Sequence, residues 1–305
     1  MDFRQRYTKI FGSGVYEKLL KAQREHSRDQ YIRVNLSRKK VAEVEKFLKS
    51  NRVKYSKTYL SNCFKIEKSF FNLTSCIEAL RGDFYVQDIA SQIPVNLIDF
   101  GDLASKERKI KILDMAASPG SKTTQIADMC ESLGIDCEIV ALEPEVKRLT
   151  KLVNNIQKQG FENISVYNVR GEDFETKDKF DLILLDAPCS GNLVGDRDWL
   201  KKRDMNGILA NSKLQKKLLE KASKLLEKDG TLIYSTCSLE PEENEENVEY
   251  AQKGLRLRSV KAEFKFPFEN RPERFLKIKF MRQESIRIMP NLSKSQGFFV
   301  SVLRK

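Results

Sequence analysis

Two cysteines stand where apolar runs stop: Cys189 in LILLDAPCSG (182–191) and Cys237 in LIYSTCSLEPEENEENV (232–248). A single thiol at a strand end is ordinarily a small buried hydrophobe. Two of them, each inside its own polar segment, point instead to nucleophilic chemistry. The other four cysteines form no C-x-x-C pair with these or with each other, which leaves a disulfide framework or a zinc site without support. The chain holds one histidine, His26, in a polar run, which excludes an HExxH metal site and leaves little prospect of Ser-His or Cys-His catalysis. No metal is expected, and proton transfer must fall to carboxylates, thiols, lysines or water.

The elements that must position these thiols form an alternating pattern from about residue 110. Strands are predicted at 109–115, 137–143, 164–168, 180–186 and 231–236. They are separated by helices over 121–133, a segment with Val146, Leu149, Val153 and Ile156 on one stripe, and 212–228. In the first helix Ile126, Met129, Cys130 and Leu133 share a face, which makes Cys130 a core residue. Strands rich in Leu, Ile and Val between amphipathic helices imply a parallel sheet covered on both faces, an α/β fold. The tail 286–305 reads as two strands about a turn that could add an antiparallel pair.

Ligands of open parallel sheets bind beyond the carboxyl ends of the strands. The residues there are Asp114 with the loop AASPGSK, Glu143, the GED at 171–173, Asp186 with APCSG, and Cys237. The loop is neither a P-loop nor a G-x-G-x-x-G turn, and its small residues allow close approach at a helix start. Glu143 lies 23 residues beyond Gly120 at the next strand end, where a carboxylate can hold a ribose diol. Together they suit a nucleoside-bearing ligand without a long phosphate tail.

Residues 1–110 carry 22 Lys/Arg against 13 Asp/Glu, so most of the net charge of +12 sits at one end. That asymmetry favours a polyanionic partner, nucleic acid above all. This part reads as a helical start and a small basic α+β subdomain, with a strand at 31–37, a helix at 38–50, and a boundary near 108. No apolar run reaches the roughly 18 residues of a membrane span, and the start lacks the apolar stretch of a secretory signal. A cytoplasmic location is expected.

DMAASPGSK, LLDAPCSG and YSTCSLEPEENE together resemble the motifs of the RNA 5-methylcytosine methyltransferases, the group of bacterial 16S rRNA enzymes and archaeal and eukaryotic tRNA homologues. RVN (33–35), GDFYVQDIASQIPV (82–95) and the terminal RIMPNLSKSQGFFVSVLRK are similar to that family's flanking segments. The family's cofactor loop usually reads C-A-A-P-G-G-K, so Ala116, Ser118 and Ser121 depart from it, each by a small residue.

The resemblance implies a Rossmann-like class I S-adenosylmethionine-dependent domain over 109–305, with an N-terminal RNA-binding subdomain over 1–108. It implies Cys237 as the nucleophile that adds to carbon 6 of cytosine. Asp186 becomes the partner of N3, Cys189 the thiol that helps release product, and Lys122 an anchor between cofactor and substrate. Pro188 and Ser190 shape the loop around Cys189. Ala116, Ala117, Ser118, Pro119, Gly120, Ser121, Lys122, Glu143 and Asp186 would hold S-adenosylmethionine, with Glu172 or Asp173 at the adenine. RNA is the implied partner, tRNA ahead of rRNA, with no membrane and a monomeric enzyme. Glu246-Asn247-Val248 also resembles a tripeptide of DNA cytosine methyltransferases, which would promote Cys189 to nucleophile. Ser rather than Gln follows Cys189, and the tripeptide falls in a predicted helix, so Cys237 is retained. The rival of another class is an RNA-binding assembly factor without catalysis.

Overall fold

The computed structural model describes residues 2–261, 284–293 and 295–305. Its first elements are the helices α1 (Phe3–Phe11) and α2 (Val15–His26). Their apolar residues Phe3, Tyr7, Leu19 and Ala22 pack on Leu193, Val194, Trp199 and Leu239, which follow closely on the two cysteines. The chain's opening segment therefore lies against the site-bearing loops, far along the sequence.

Four short strands follow, β1 (Gln30–Val34), β2 (Lys54–Lys57), β3 (Cys63–Lys68) and β4 (Phe84–Val86), with helices α3 (Val41–Ser50) and α4 (Ile77–Leu80). They form an antiparallel sheet in the order β2-β3-β1-β4. Val44 and Leu48 of α3 close one face against Ile32, Val34, Phe64 and Phe84. The helix opens at Val41 rather than at 38, because the Asn35 carbonyl takes the N–H groups of Arg38 and Lys39 in a turn. Glu43 then accepts from the Lys40 N–H at 2.9 Å, half of a capping box.

The other face of this sheet meets the rest of the chain through Arg33, which is fully buried. Its guanidinium donates to Gln87 Oε1 (2.5 Å), the Ser121 carbonyl (2.7 Å) and Gln159 Oε1 (3.3 Å). Burial pulls this group down to about 10, and its Nε has no hydrogen-bond partner. A buried cation shared among carbonyl oxygens is costly to truncate, because its partners lose their donor without gaining water. Arg33→Ala is expected to lower unfolding stability by about 3 kcal/mol, read as a fall in the urea midpoint at unchanged m.

After α5 (Ile89–Asn96) and α6 (Phe100–Ala104) the large sheet begins. Its strands are β5 (Ile110–Asp114), β6 (Cys137–Leu142), β7 (Ile164–Tyr167), β8 (Phe180–Asp186), β9 (Leu226–Thr236), β10 (Arg258–Val260), β11 (Ile286–Ile288) and β12 (Phe298–Arg304). The order is β7-β6-β5-β8-β9-β12-β10, with β11 also paired to β12. Strands β5 to β9 are mutually parallel where they pair, and β12 runs antiparallel to β9. The helices are α7 (Ser121–Ser132), α8 (Val146–Gln159), α9 (Trp199–Lys202), α10 (Met205–Leu225), α11 (Glu245–Leu255) and α12 (Pro290–Ser293).

Alternate strand residues feed two cores: Ile112, Leu182, Leu184 and Ile233 on one face, Leu113, Ile183, Leu185 and Leu232 on the other. Burial of both faces is the reason these strands read as continuous apolar runs. Strand order reverses between β5 and β8, which makes the crevice at their carboxyl ends the natural ligand site.

Three local expectations are corrected. Helix α10 starts at Met205, capped by Asp204, whose side chain accepts from the Gly207 N–H. It ends at Leu225 because Leu226 already pairs with Phe180 as the start of β9. The stripe on α8 is turned: Leu152, Ile156 and Gln159 are buried, Leu149 and Val153 half-buried, and Val146 exposed. Strand β10, only three residues long, had no periodic signal. No helix among the described residues is long and apolar enough to cross a membrane.

Candidate active site

Strands β8 and β9 lie side by side and parallel, with Asp186 opposite Ser235. Continuing each chain by two or three residues brings Cys189 and Cys237 together, their sulfurs 3.2 Å apart. Both residues are half-buried, and Cys237 also packs on the core beneath. Between them and the loop at 116–122 stands Asp186. Its Oδ1 accepts from Ser235 Oγ at 2.8 Å, and its Oδ2 from Lys122 Nζ at 2.6 Å. Lys122 enters from the first turn of α7, its ammonium 5.1 Å from the centroid of the Phe298 ring. Gly120 makes that turn with φ +98°, where a Cβ would also stand 2.9 Å from Leu152 Cδ1.

The two thiols are unequal. The Cys189 S–H, donated to the sulfur of Cys237, holds the Cys237 thiol below its ordinary value, and Lys122 adds to this against burial and the Asp186 charge. The same hydrogen bond, with burial, pushes Cys189 far up. The arrangement favours ionisation of Cys237 over Cys189, and the thiolate is the nucleophilic form. Because a lowered value keeps the thiolate populated at lower pH, alkylation of Cys237 by iodoacetamide should show a lower pH midpoint than that of the unpaired thiol in Cys189→Ala. In Cys189→Ala that midpoint is expected to rise, since the largest lowering influence is removed. Peptide mass spectrometry across pH checks both.

Helix α11 does not follow Cys237 directly. A 3-10 turn over Pro241–Glu243 intervenes, and the helix starts at Glu245. Glu243 is buried and turned back on the loop, accepting from the Ser190 N–H (3.0 Å) and Ser190 Oγ (2.8 Å). Its charge opposes the Cys237 thiolate, so the support comes from Cys189 and Lys122 and not from a helix terminus. Ser190 thereby ties the loop of one cysteine to the loop of the other. The Pro188 carbonyl accepts from Gln215, and Asn192 donates to the Cys237 carbonyl at 2.7 Å. From the far end of the chain Tyr7 and Arg6 bind Glu240, at 2.7 and 2.8 Å, three residues past Cys237. Arg287 donates to the Leu239 carbonyl at 2.9 Å. None of these clamps carries a sequence signal, since Arg6 and Tyr7 lie more than 230 positions from their partner.

On the other side of Lys122, Ala116, Ala117, Ser118, Pro119 and Ser121 line the turn from β5 into α7. Ser118 Oγ donates to the Arg148 carbonyl (2.9 Å) and Arg148 returns a bond to the Ser118 carbonyl (3.0 Å), which ties the loop to α8. Asp114 is buried below the loop, accepting from Thr123 Oγ1 at 2.7 Å, and burial pushes its carboxyl up to about 6. Glu143 ends β6, nearly fully buried, with Oε1 accepting from the Glu145 N–H at 2.9 Å and Arg148 3.6 Å from Oε2. A carboxylate has about four lone-pair sites, so this one retains acceptor capacity for a diol. Glu172 is half-buried and Asp173 exposed on a turn whose Gly171 cannot carry a Cβ, which would stand 2.9 Å from the Met115 carbonyl. Asn247 of the ENV tripeptide is buried in α11, donating to Gln215 Oε1 at 2.6 Å, while Glu246 faces solvent.

A family model described as 16S rRNA methyltransferase RsmB/F matches residues 102–304. Ribosomal RNA small subunit methyltransferase F of Vibrio campbellii is 32% identical over 243 residues, covering 78% of this chain and 48% of that protein. The protein of that name from Cronobacter sakazakii is 34% identical over 239 residues, covering 76% and 47%. This chain spans about half the length of the curated relatives it matches. Among solved structures, a methyltransferase homolog protein from Pyrococcus horikoshii superposes with a TM-score of 0.81 at 27% identity, covering 99% of this chain and 94% of that one. NSun6 from Pyrococcus horikoshii gives 0.82 at 24% identity, covering 99% and 97%, a likeness of fold.

Proposed function

The chain belongs to the RsmB/F methyltransferase family, and from that premise we propose that it methylates carbon 5 of a cytosine in RNA through a covalent bond to Cys237. The observation that carries this reading is the contact between two half-buried thiols, beside an Asp186 fixed by Lys122 and Ser235. Carbon 5 of cytosine is a poor nucleophile. Addition of the Cys237 thiolate at carbon 6, with a proton or strong hydrogen bond supplied at N3, turns carbon 5 into an enamine-like centre. Asp186 is the proposed partner of N3: it carries the proton that N3 takes up as the bond to sulfur forms, and Lys122 and Ser235, donating to its two oxygens, stabilise the carboxylate this leaves. S-adenosylmethionine supplies the electrophilic methyl group. Residues 116–122, Glu143 and either Glu172 or Asp173 would hold it: small residues at a helix start, a buried carboxylate for the ribose, an acid for the adenine. After transfer the carbon-5 proton passes to water, the electron pair it leaves re-forms the double bond between carbons 5 and 6, and the carbon–sulfur bond breaks to return Cys237 as thiolate, with Cys189 assisting release.

RNA is received by the basic segment 1–108 and delivered to 109–305, with the target base turned out of its stack to reach Cys237. tRNA is the proposed substrate and the cytoplasm the proposed location, with the chain acting as a monomer. Small-subunit ribosomal RNA is the second reading, favoured by the names of the curated relatives. Bisulfite mapping of total RNA from cells with and without the protein tests both. Loss of one 5-methylcytosine in tRNA supports the first, loss in the small ribosomal subunit replaces it with the second. An unchanged map, with salt-dependent RNA binding by the purified chain, would favour a non-catalytic binding factor.

A further inference from the structure

We propose that the connection between β3 and β4, residues 69–83, is a stacking platform for unpaired RNA bases, separate from the crevice that holds the cysteines. The identity of its ligand rests on the RNA-methylating function proposed above; the surface itself is read from the structure. Among the described residues eight large apolar side chains are exposed, and four of them, Phe70, Phe71, Ile77 and Leu80, fall in this one connection. Phe70 and Ile77 are each 71% exposed. Concentration of apolar surface on one short segment marks an interaction site, whereas scattered exposed side chains do not.

The segment is built to present these rings. Ser69 Oγ donates to the Phe71 carbonyl at 2.7 Å and accepts from the Phe71 N–H at 3.3 Å. Asn72 Oδ1 accepts from the Thr74 N–H at 3.0 Å and from Thr74 Oγ1 at 2.8 Å. Leu73 is buried in the subdomain core and pins the turn from below. Phe71 rests edge-on against Phe47, ring centroids 6.5 Å apart, which leaves its outer side to solvent. The Lys68 ammonium lies 5.0 Å from the Phe70 ring centroid.

Charge selects the occupant. Residues 30–86 hold 12 Lys/Arg against 5 Asp/Glu, and cores of protein–protein interfaces are depleted of lysine. Aromatic rings beside lysines suit a single strand, whose bases stack while its phosphates meet the cations. The sheet cannot take this role across its open face, because Tyr31, Arg33 and Cys63 there are buried against the rest of the chain. The platform therefore lies at the edge of the subdomain, beyond β3.

The test uses the full chain with Phe70 and Phe71 both changed to Ala, and a fluorescent single-stranded RNA of about 15 nucleotides against its duplex form. Single-strand affinity is expected to fall at least ~10-fold while duplex affinity changes less than about twofold. A variant with both Phe changed to Tyr, which keeps the rings, should retain binding. Lys68→Ala should reduce the salt slope by about one unit. Unchanged single-strand affinity in the alanine variant would overturn the proposal, as would absence of RNA binding by the unaltered chain. A change in sedimentation with RNA affinity intact would also overturn it, assigning the patch to protein association. Loss of single-strand binding in a chain that methylates no RNA would leave the platform standing and remove the activity. Methyl transfer with full single-strand affinity in the alanine variant would do the reverse.

Discussion

Cys237→Ala is expected to abolish methyl transfer to RNA, a loss of ~10⁴-fold or more, while S-adenosylmethionine binds within about threefold of the unaltered chain. The size follows from the chemistry, since without a thiolate at carbon 6 there is no route to a reactive carbon 5. The selectivity follows from the geometry. Cys237 follows β9, whereas the loop proposed for the cofactor follows β5 and is held by Arg148 and by the glycine turn before α7. Folding should hold, because removal of a half-buried thiol costs about 1 kcal/mol or less. Incorporation of labelled methyl groups, with calorimetric titration of the cofactor, reads both halves. Turnover at the normal rate in this variant would end the assignment of the nucleophile.

Cys189→Ala is expected to do the opposite, leaving a protein–RNA adduct that survives denaturing electrophoresis, scarce in the unaltered chain and approaching one per active molecule in the variant. The sulfur of Cys189 stands 3.2 Å from that of Cys237, near enough to act where the carbon–sulfur bond must break. Its loss removes the hydrogen bond that favours the Cys237 thiolate, which slows addition, and it removes the release step, which slows breakdown more. The second effect dominates if Cys189 acts in release, so product formation falls while adduct accumulates. A variant with normal turnover and no shifted band would remove Cys189 from that role.

The fold was legible because its strands are buried on both faces and its helices on one, so composition and period carried the information. Strand β8 matches its expected bounds at Phe180–Asp186 and α7 differs by one residue, since an apolar run and a glycine mark their limits. Helix α10 was misjudged at both ends, its start marked only by Asp204 and its end by strand pairing that no local signal announces. The site was legible where residue type and strand end coincide, as at Asp186, Cys189 and Cys237. It was illegible where one part of the chain holds another: Ser235 against Asp186, Ser190 against Glu243, Tyr7 and Arg6 against Glu240. Such contacts depend on parallel register and on the docking of α1, neither of which leaves a periodic trace.

The covalent bond between Cys237 and the pyrimidine ring is tested most directly with RNA carrying 5-fluorocytidine at the target position, where fluorine in place of the departing proton traps the adduct. Incubation of the unaltered chain with this RNA and S-adenosylmethionine, followed by digestion and peptide mass spectrometry, locates the sulfur. The modified peptide is expected to contain Cys237, with Cys189 free. A ring attached to Cys189, or a trapped complex without a covalent bond to either cysteine, would contradict the account.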